Sequence, residues 1–114
     1  MRPRPALVLA TALLAAGAAQ AQAGPDPQRR QQLVHIVRQD CGSCHGMLLT
    51  GGLGPPLTPQ ALRERPLEAI VATTLHGRPG TPMPGWKSML SEADARWIAE
   101  RLLAGFPAEA GAPR

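Results

Sequence analysis

Tyrosine is absent from this chain of 114 residues, phenylalanine occurs once and tryptophan twice. Large aromatics ordinarily supply much of a core's buried area, and a domain this small buries only a modest share of its surface. Something other than aromatic side chains has to complete the core, and a bound apolar cofactor would do so. Cysteine is scarce too. The two present, Cys41 and Cys44, lie three positions apart, so a disulfide between them would close too short a loop to stabilise much. No stretch alternates apolar and polar residues over strand length, so no sheet is predicted. No internal repeat and no Lys/Arg cluster is visible. With the mild positive charge described below, that argues against a nucleic-acid partner.

What is present begins with a leader. Met1-Arg2-Pro3-Arg4 is a short basic head, Ala6 to Ala19 is almost wholly apolar, and Ala21-Gln22-Ala23 has the small–x–small form of a cleavage box. In that order these are the parts of a secretory signal peptide. Residues 1–23 are expected to be removed, with a cut after Ala23 or after Ala21, leaving a domain of residues 24–114. The apolar run is short for a membrane span, which needs about 20 residues; an uncleaved anchor is the alternative. Beyond residue 23 the chain keeps ten basic and eight acidic residues, a net charge of +2.

Three segments read as helices. The first spans roughly Pro27 to Gln39, capped by Asp26, with Leu33, Ile36 and Val37 on one face and His35 on the other. The second runs from Pro66 to Gly77, where glycine is a natural stop, and carries a stripe of Leu67, Ile70, Val71 and Thr74. The third covers Glu92 to Ala104. Ser91 and Asp94 form its capping pair, Ala95, Ile98, Ala99 and Leu102 its stripe, and Gly105 its end. A short helical turn is expected over Pro59 to Glu64, capped by Thr58. Two long irregular stretches remain, a Gly-rich one over 47–56 and Arg78 to Trp86, RPGTPMPGW. Loops of that size in a small domain are usually functional.

Between the first helix and the Gly-rich stretch stands Cys41-Gly42-Ser43-Cys44-His45. A thioredoxin-like redox pair would start a helix after a strand, and here no strand is predicted. A structural zinc site needs four ligands. Cys41, Cys44 and His45 could give three, with His35 or His76 as the fourth, but His45 directly adjoins Cys44 and the other two histidines lie on polar helix faces. The third alternative uses every residue: Cys-x-x-Cys-His is the form of c-type haem attachment. Both thiols meet one porphyrin edge, and the next imidazole turns under the iron. Histidine plus methionine is a standard haem ligand pair. Met1 departs with the leader, Met47 is too close to His45 to reach the opposite face, and Met89 reads as core filler. That leaves Met83, in Pro82-Met83-Pro84, 38 residues after His45. The prolines stiffen the loop without a ladder of hydrogen bonds. A ligating histidine usually donates its other ring N–H to a carbonyl, and Pro55 in Gly54-Pro55-Pro56-Leu57 is the candidate acceptor.

With these residues in place the chain resembles a class I cytochrome c. The helix before CGSCH, the GP-x-L turn, GTPMPGW and the final amphipathic helix carry the resemblance over nearly all of residues 24–114. The longer runs GGLGPPLTPQAL and HGRPGTPMPGWKSMLSEADARWIAERLLAG are similar to the small cytochromes c-55X, encoded beside the haem-c/haem-d nitrite reductase of denitrifying bacteria. The resemblance implies a small all-α fold of three main helices with long loops around one haem c. It maps the attaching cysteines to Cys41 and Cys44, the iron ligands to His45 and Met83, and the proline carbonyl to Pro55. In that family the first and last helices cross beside the haem. Many class I members have a tyrosine or comparable donor near the Met sulfur; this chain has no tyrosine, a departure from that pattern. Arg78 and Trp86 flank the Met loop as candidate propionate donors; Trp97 lies off its helix stripe and has no assigned role.

The implied function is one-electron carriage in the periplasm by a monomer without stable membrane insertion. A six-coordinate iron leaves no substrate position, so the chain is not expected to be an enzyme. The implied acceptor is the nitrite reductase, with a quinol-oxidising membrane complex upstream. The alternative is an accessory factor in maturation or haem d insertion of that reductase. A third alternative is a gas-binding haem protein that gives up Met83.

Overall fold

The structure, a computed structural model, describes residues 24–111; the leader expected over 1–23 lies outside the described residues. The described residues form five α-helices: α1 (Pro27–Ile36), α2 (Gly42–His45), α3 (Pro59–Leu62), α4 (Leu67–His76) and α5 (Glu92–Ala104). Among the described residues there is no strand.

The first helix departs from the expected boundary. Asp26 caps it by accepting from the Arg29 N–H at 2.9 Å, and Pro27 opens the first turn. The helix does not end near Gln39. It passes through a π-helical turn, Val37–Cys41, directly into α2. A π turn holds an extra residue, here closed by the Gly42 N–H on the Val37 carbonyl. Side chains beyond it are thereby rotated relative to α1. Leu33 and Val37 stay fully buried, Cys41 becomes half-buried and His45 buried. The rod stops at Gly46, whose φ of 89° suits a residue without Cβ. The CGSCH motif is therefore the helical end of this rod rather than the loop after it.

The remaining elements close a single core. Thr58 caps α3 at 3.3 Å from the Ala61 N–H, and α3 stops at Leu62, two residues short of the expected Glu64. On α4, Ile70, Val71 and Thr74 are buried, and Gly77 with φ 71° ends the helix. Ser91 and Asp94 form the complete capping box of α5. Ala95, Ile98, Ala99 and Leu102 turn into the core beside Leu33 and Val37. Two alanines one turn apart let neighbouring backbones approach closely. Each fully buried leucine or valine contributes about 1.5–3 kcal/mol by its removal from water. Met89 is not the core filler expected of it: its side chain is 50% exposed, and Leu90 takes the inward position. Both tryptophans and Phe106 pack on the core's outer edge, partly buried.

Candidate functional site

The end of the first rod sets the site. Cys41 closes the π turn, and Cys44 and His45 stand on α2. Both thiols are free, Cys44 exposed and Cys41 half-buried. Burial, with the Asp40 carboxylate beside it, pushes the Cys41 thiol up to about 11. A thiol–disulfide catalyst needs the opposite, a thiolate stabilised near neutral pH. His35 is exposed and paired with Glu109, and His76 lies exposed at the end of α4. Among the described residues, no group of three or more His, Cys, Asp and Glu side chains is placed to hold a metal ion. The fourth ligand that zinc would take from His35 or His76 is not brought to the motif.

His45 is held from below. Its Nδ1 lies 2.7 Å from the Pro55 carbonyl oxygen. A carbonyl only accepts, so Nδ1 carries the proton and Nε2 is the nitrogen that can take a metal. The loop that carries Pro55 is fastened to the end of the rod. Gly54 N–H donates to the Cys44 carbonyl at 2.8 Å, and Gly51 N–H to the His45 carbonyl at 2.8 Å. Gly54 lies flat against the imidazole: a Cβ there would stand 2.8 Å from Cε1 and Nδ1. Leu49 anchors the loop from inside, buried despite a φ of 61°. A left-handed non-glycine residue costs roughly 1–2 kcal/mol, which burial of its side chain offsets. No sequence signal marked that position.

Met83 is carried by a separate loop between α4 and α5, and its side chain is partly buried. The loop has more hydrogen bonds than its prolines suggested. Arg78 N–H donates to the Met83 carbonyl at 3.2 Å, and Thr81 N–H to the Arg78 carbonyl at 3.1 Å. The Thr81 hydroxyl donates to that carbonyl at 2.7 Å and accepts from the Met83 N–H at 3.3 Å. Trp86 N–H and Lys87 N–H return to the Thr74 and Leu75 carbonyls at 3.0 and 3.2 Å. Trp86 packs against the core and Arg78 is exposed. Trp97, unplaced from sequence, meets Phe106 edge to face at 6.2 Å and 77°. Its partner lies beyond α5, where no helical period applied.

The donor set fits a c-type haem. Two thiols and an imidazole occupy one helix end, the imidazole already oriented by a carbonyl, and a thioether stands on a braced loop. Cys41 and Cys44 would hold the porphyrin edge, and His45 and Met83 the iron.

The chain is similar to several known proteins. The family model described as cytochrome c oxidase, cbb3-type, subunit III matches residues 28–100. Cytochrome c55X of Pseudomonas aeruginosa is 62% identical over 81 residues, covering 71% of this chain and 68% of that protein. The solved structure of a c-type cytochrome, NirC, is 60% identical with a TM-score of 0.71, covering 72% of this chain and 96% of that one. A second structure, dihydro-heme d1 dehydrogenase NirN in complex with DHE, is 34% identical with a TM-score of 0.57; the likeness spans 70% of this chain but 16% of NirN. The chain belongs to the cytochrome c55X family of small c-type cytochromes, proteins with covalently bound haem c, and its two cysteines are Cys41 and Cys44.

Proposed function

We propose that this protein is an exported one-electron carrier of denitrification that delivers electrons to the haem-c/haem-d nitrite reductase, with His45 and Met83 as its iron ligands. The haem, when bound, supplies a one-electron couple. The carrying observation is the His45 Nδ1–Pro55 bond of 2.7 Å. The carbonyl fixes the tautomer, aims Nε2 and raises the basicity of the ring. The thioether of Met83 favours the reduced state, and Thr81 braces its backbone. Two protein ligands leave no position for a substrate, so the chain's own residues orient and insulate rather than catalyse. The leader at 1–23 would send the domain to the periplasm. Among the described residues no helix is long and apolar enough to cross a membrane. The domain would act as a monomer, recharged by a quinol-oxidising complex.

The test is stopped-flow mixing of the reduced protein with oxidised nitrite reductase. Oxidation as fast as the enzyme turns over on nitrite supports the donor role. Oxidation much slower than turnover contradicts it.

A second reading is favoured by one observation, the likeness to a segment of dihydro-heme d1 dehydrogenase NirN. In this reading the protein serves maturation of the reductase and accepts electrons while haem d is being completed. A dehydrogenation releases two electrons and two protons, so two molecules of a one-electron carrier would be reduced per turnover. Mixing the oxidised protein with that dehydrogenase and its dihydro-haem substrate separates the readings. Rapid reduction here, with slow transfer to nitrite reductase, selects the maturation role.

A further inference from the structure

The Met83 loop begins and ends on glycines, and both are in backbone contact with the far side of the loop. Gly77 ends α4 with φ 71°, and a Cβ on it would stand 2.6 Å from the Met83 carbonyl oxygen and 2.7 Å from the Gly85 nitrogen. A Cβ on Gly85 would stand 2.6 Å from the Leu75 carbonyl oxygen and 2.9 Å from the His76 carbonyl carbon. Gly85 does not take a positive φ, so nothing in its own conformation demands glycine. Its requirement comes from the close approach alone. The obstructing atoms are backbone, which cannot swing aside as a side chain would. Just beyond Gly85, the Trp86 and Lys87 N–H groups bond the Thr74 and Leu75 carbonyls on α4. The Arg78 N–H on the Met83 carbonyl closes the inner turn.

We infer that Gly77 and Gly85 form a clasp that positions Met83: the two glycines let the loop ends seat on the last turn of α4, and that seating sets where the Met83 sulfur is held. The inference rests on the proposed reading of Met83 as an iron ligand. Gly80, the other glycine of the loop, is not part of the clasp, because a Cβ there would meet nothing within 4 Å. Gly77 and Gly85 are positioning residues, since they act on the ligand through the backbone. The clasp explains how a loop with three prolines in nine residues holds one geometry. The prolines limit the shapes of its middle, and the glycines fix its ends. Opening the clasp would loosen the sulfur without disturbing His45 on its own element.

The test uses exported holoprotein of the wild type, Gly85→Ala, Met83→Ala and, as a control for backbone strain away from the Met83 loop, Gly105→Ala, whose Cβ would meet nothing within 4 Å but whose φ of 111° strains any other residue. Three properties are read: the sulfur-to-iron charge-transfer band of the ferric protein, the midpoint potential, and the rate at which cyanide displaces the sixth ligand. Gly85→Ala is expected to keep covalent haem and helix content, to weaken the sulfur band, to lower the potential, and to bind cyanide about tenfold faster or more. Gly105→Ala is expected to lose stability at the end of α5 yet to match the wild type in sulfur band, potential and cyanide rate. A Gly85→Ala protein with wild-type band, potential and cyanide rate overturns the clasp, while a changed Met83→Ala protein leaves the ligand reading standing. A wild type without the sulfur band, or identical to Met83→Ala, overturns the ligand reading and the clasp with it. If Gly85→Ala yields no holoprotein, amide exchange in the wild type decides. Trp86 and Lys87 should exchange on the order of a hundredfold or more slower than open amides, and exchange at the open rate overturns the clasp.

Discussion

The Arg29 guanidinium and the Asp94 carboxylate meet at 2.8 Å and join the first helical rod to the cap of the last helix. The same guanidinium donates to the Met89 carbonyl at 3.0 Å, and Asp94 also accepts from the Ser91 N–H at 3.1 Å. One carboxylate thus completes a capping box and crosses between two elements 65 residues apart. Asp94→Ala removes both functions. The expected cost is roughly 2–3 kcal/mol in denaturant unfolding of the holoprotein.

The same pair makes stability depend on acid. Burial alone would raise the Asp94 carboxyl, but hydrogen bonds from Arg29 and the Ser91 N–H outweigh it and hold the group below its ordinary value. A carboxyl depressed by folding contributes stability above its unfolded pKa of about 4 and loses that contribution as pH falls through its folded value. The unfolding free energy should therefore drop on acidification below about pH 4, and the drop should be smaller in Asp94→Asn. An acid profile unchanged by that substitution contradicts the assignment.

Gly54 bears directly on His45. Its missing Cβ leaves room for an imidazole whose atoms would otherwise be 2.8 Å away. Gly54→Ala should turn the ring off the Pro55 carbonyl. A ring that loses this acceptor is less basic and favours ferric iron less, so the midpoint potential should rise relative to the wild type. Potentiometric titration of the two holoproteins checks the direction.

The core can be separated from its surroundings by two substitutions. Leu33 is fully buried, whereas Met89 is half exposed. Leu33→Ala should cost about 2–4 kcal/mol, and Met89→Ala no more than about 0.5 kcal/mol. Equal losses in thermal or denaturant unfolding would contradict the placement of Met89.

The tail after α5 is tied down by few groups. Arg38 donates to the Phe106 and Pro107 carbonyls at 3.0 and 2.7 Å, and its guanidinium lies 5.5 Å from the Phe106 ring centroid. Trp97 meets that ring edge to face. Phe106→Ala should release the tail at a cost of about 1–2 kcal/mol, with faster amide exchange confined to residues after Gly105.

Much of this architecture was legible in local chemistry. Asp26 before Pro27, Ser91 with Asp94, and Gly77 and Gly105 mark helix ends because caps and stops depend on the residue itself. The stripes on α4 and α5 follow from the helical period. Other features depend on tertiary context. A π turn has no period of its own in sequence, so the rod's extension through Cys41 to His45 could not be read. Leu49 takes a left-handed φ that the type of residue argues against, because burial offsets the strain. Met89 and Leu90 are adjacent and equally apolar, and only the packed chain decides which turns inward. Trp97 found its partner in a tail without periodicity. At the site, the residue types named the chemistry, while the glycines that allow close approach to His45 and Met83 became visible only as distances.

We propose that His45 and Met83 hold one covalent haem as a one-electron carrier. The most direct test is the spectrum of the exported, purified protein during a potentiometric titration. The expected haem stays with the chain under denaturing conditions, is low-spin in both oxidation states, shows a ferric sulfur-to-iron band that Met83→Ala abolishes, and titrates as a single one-electron step. A high-spin ferric haem, or a sulfur band that survives Met83→Ala, would contradict it.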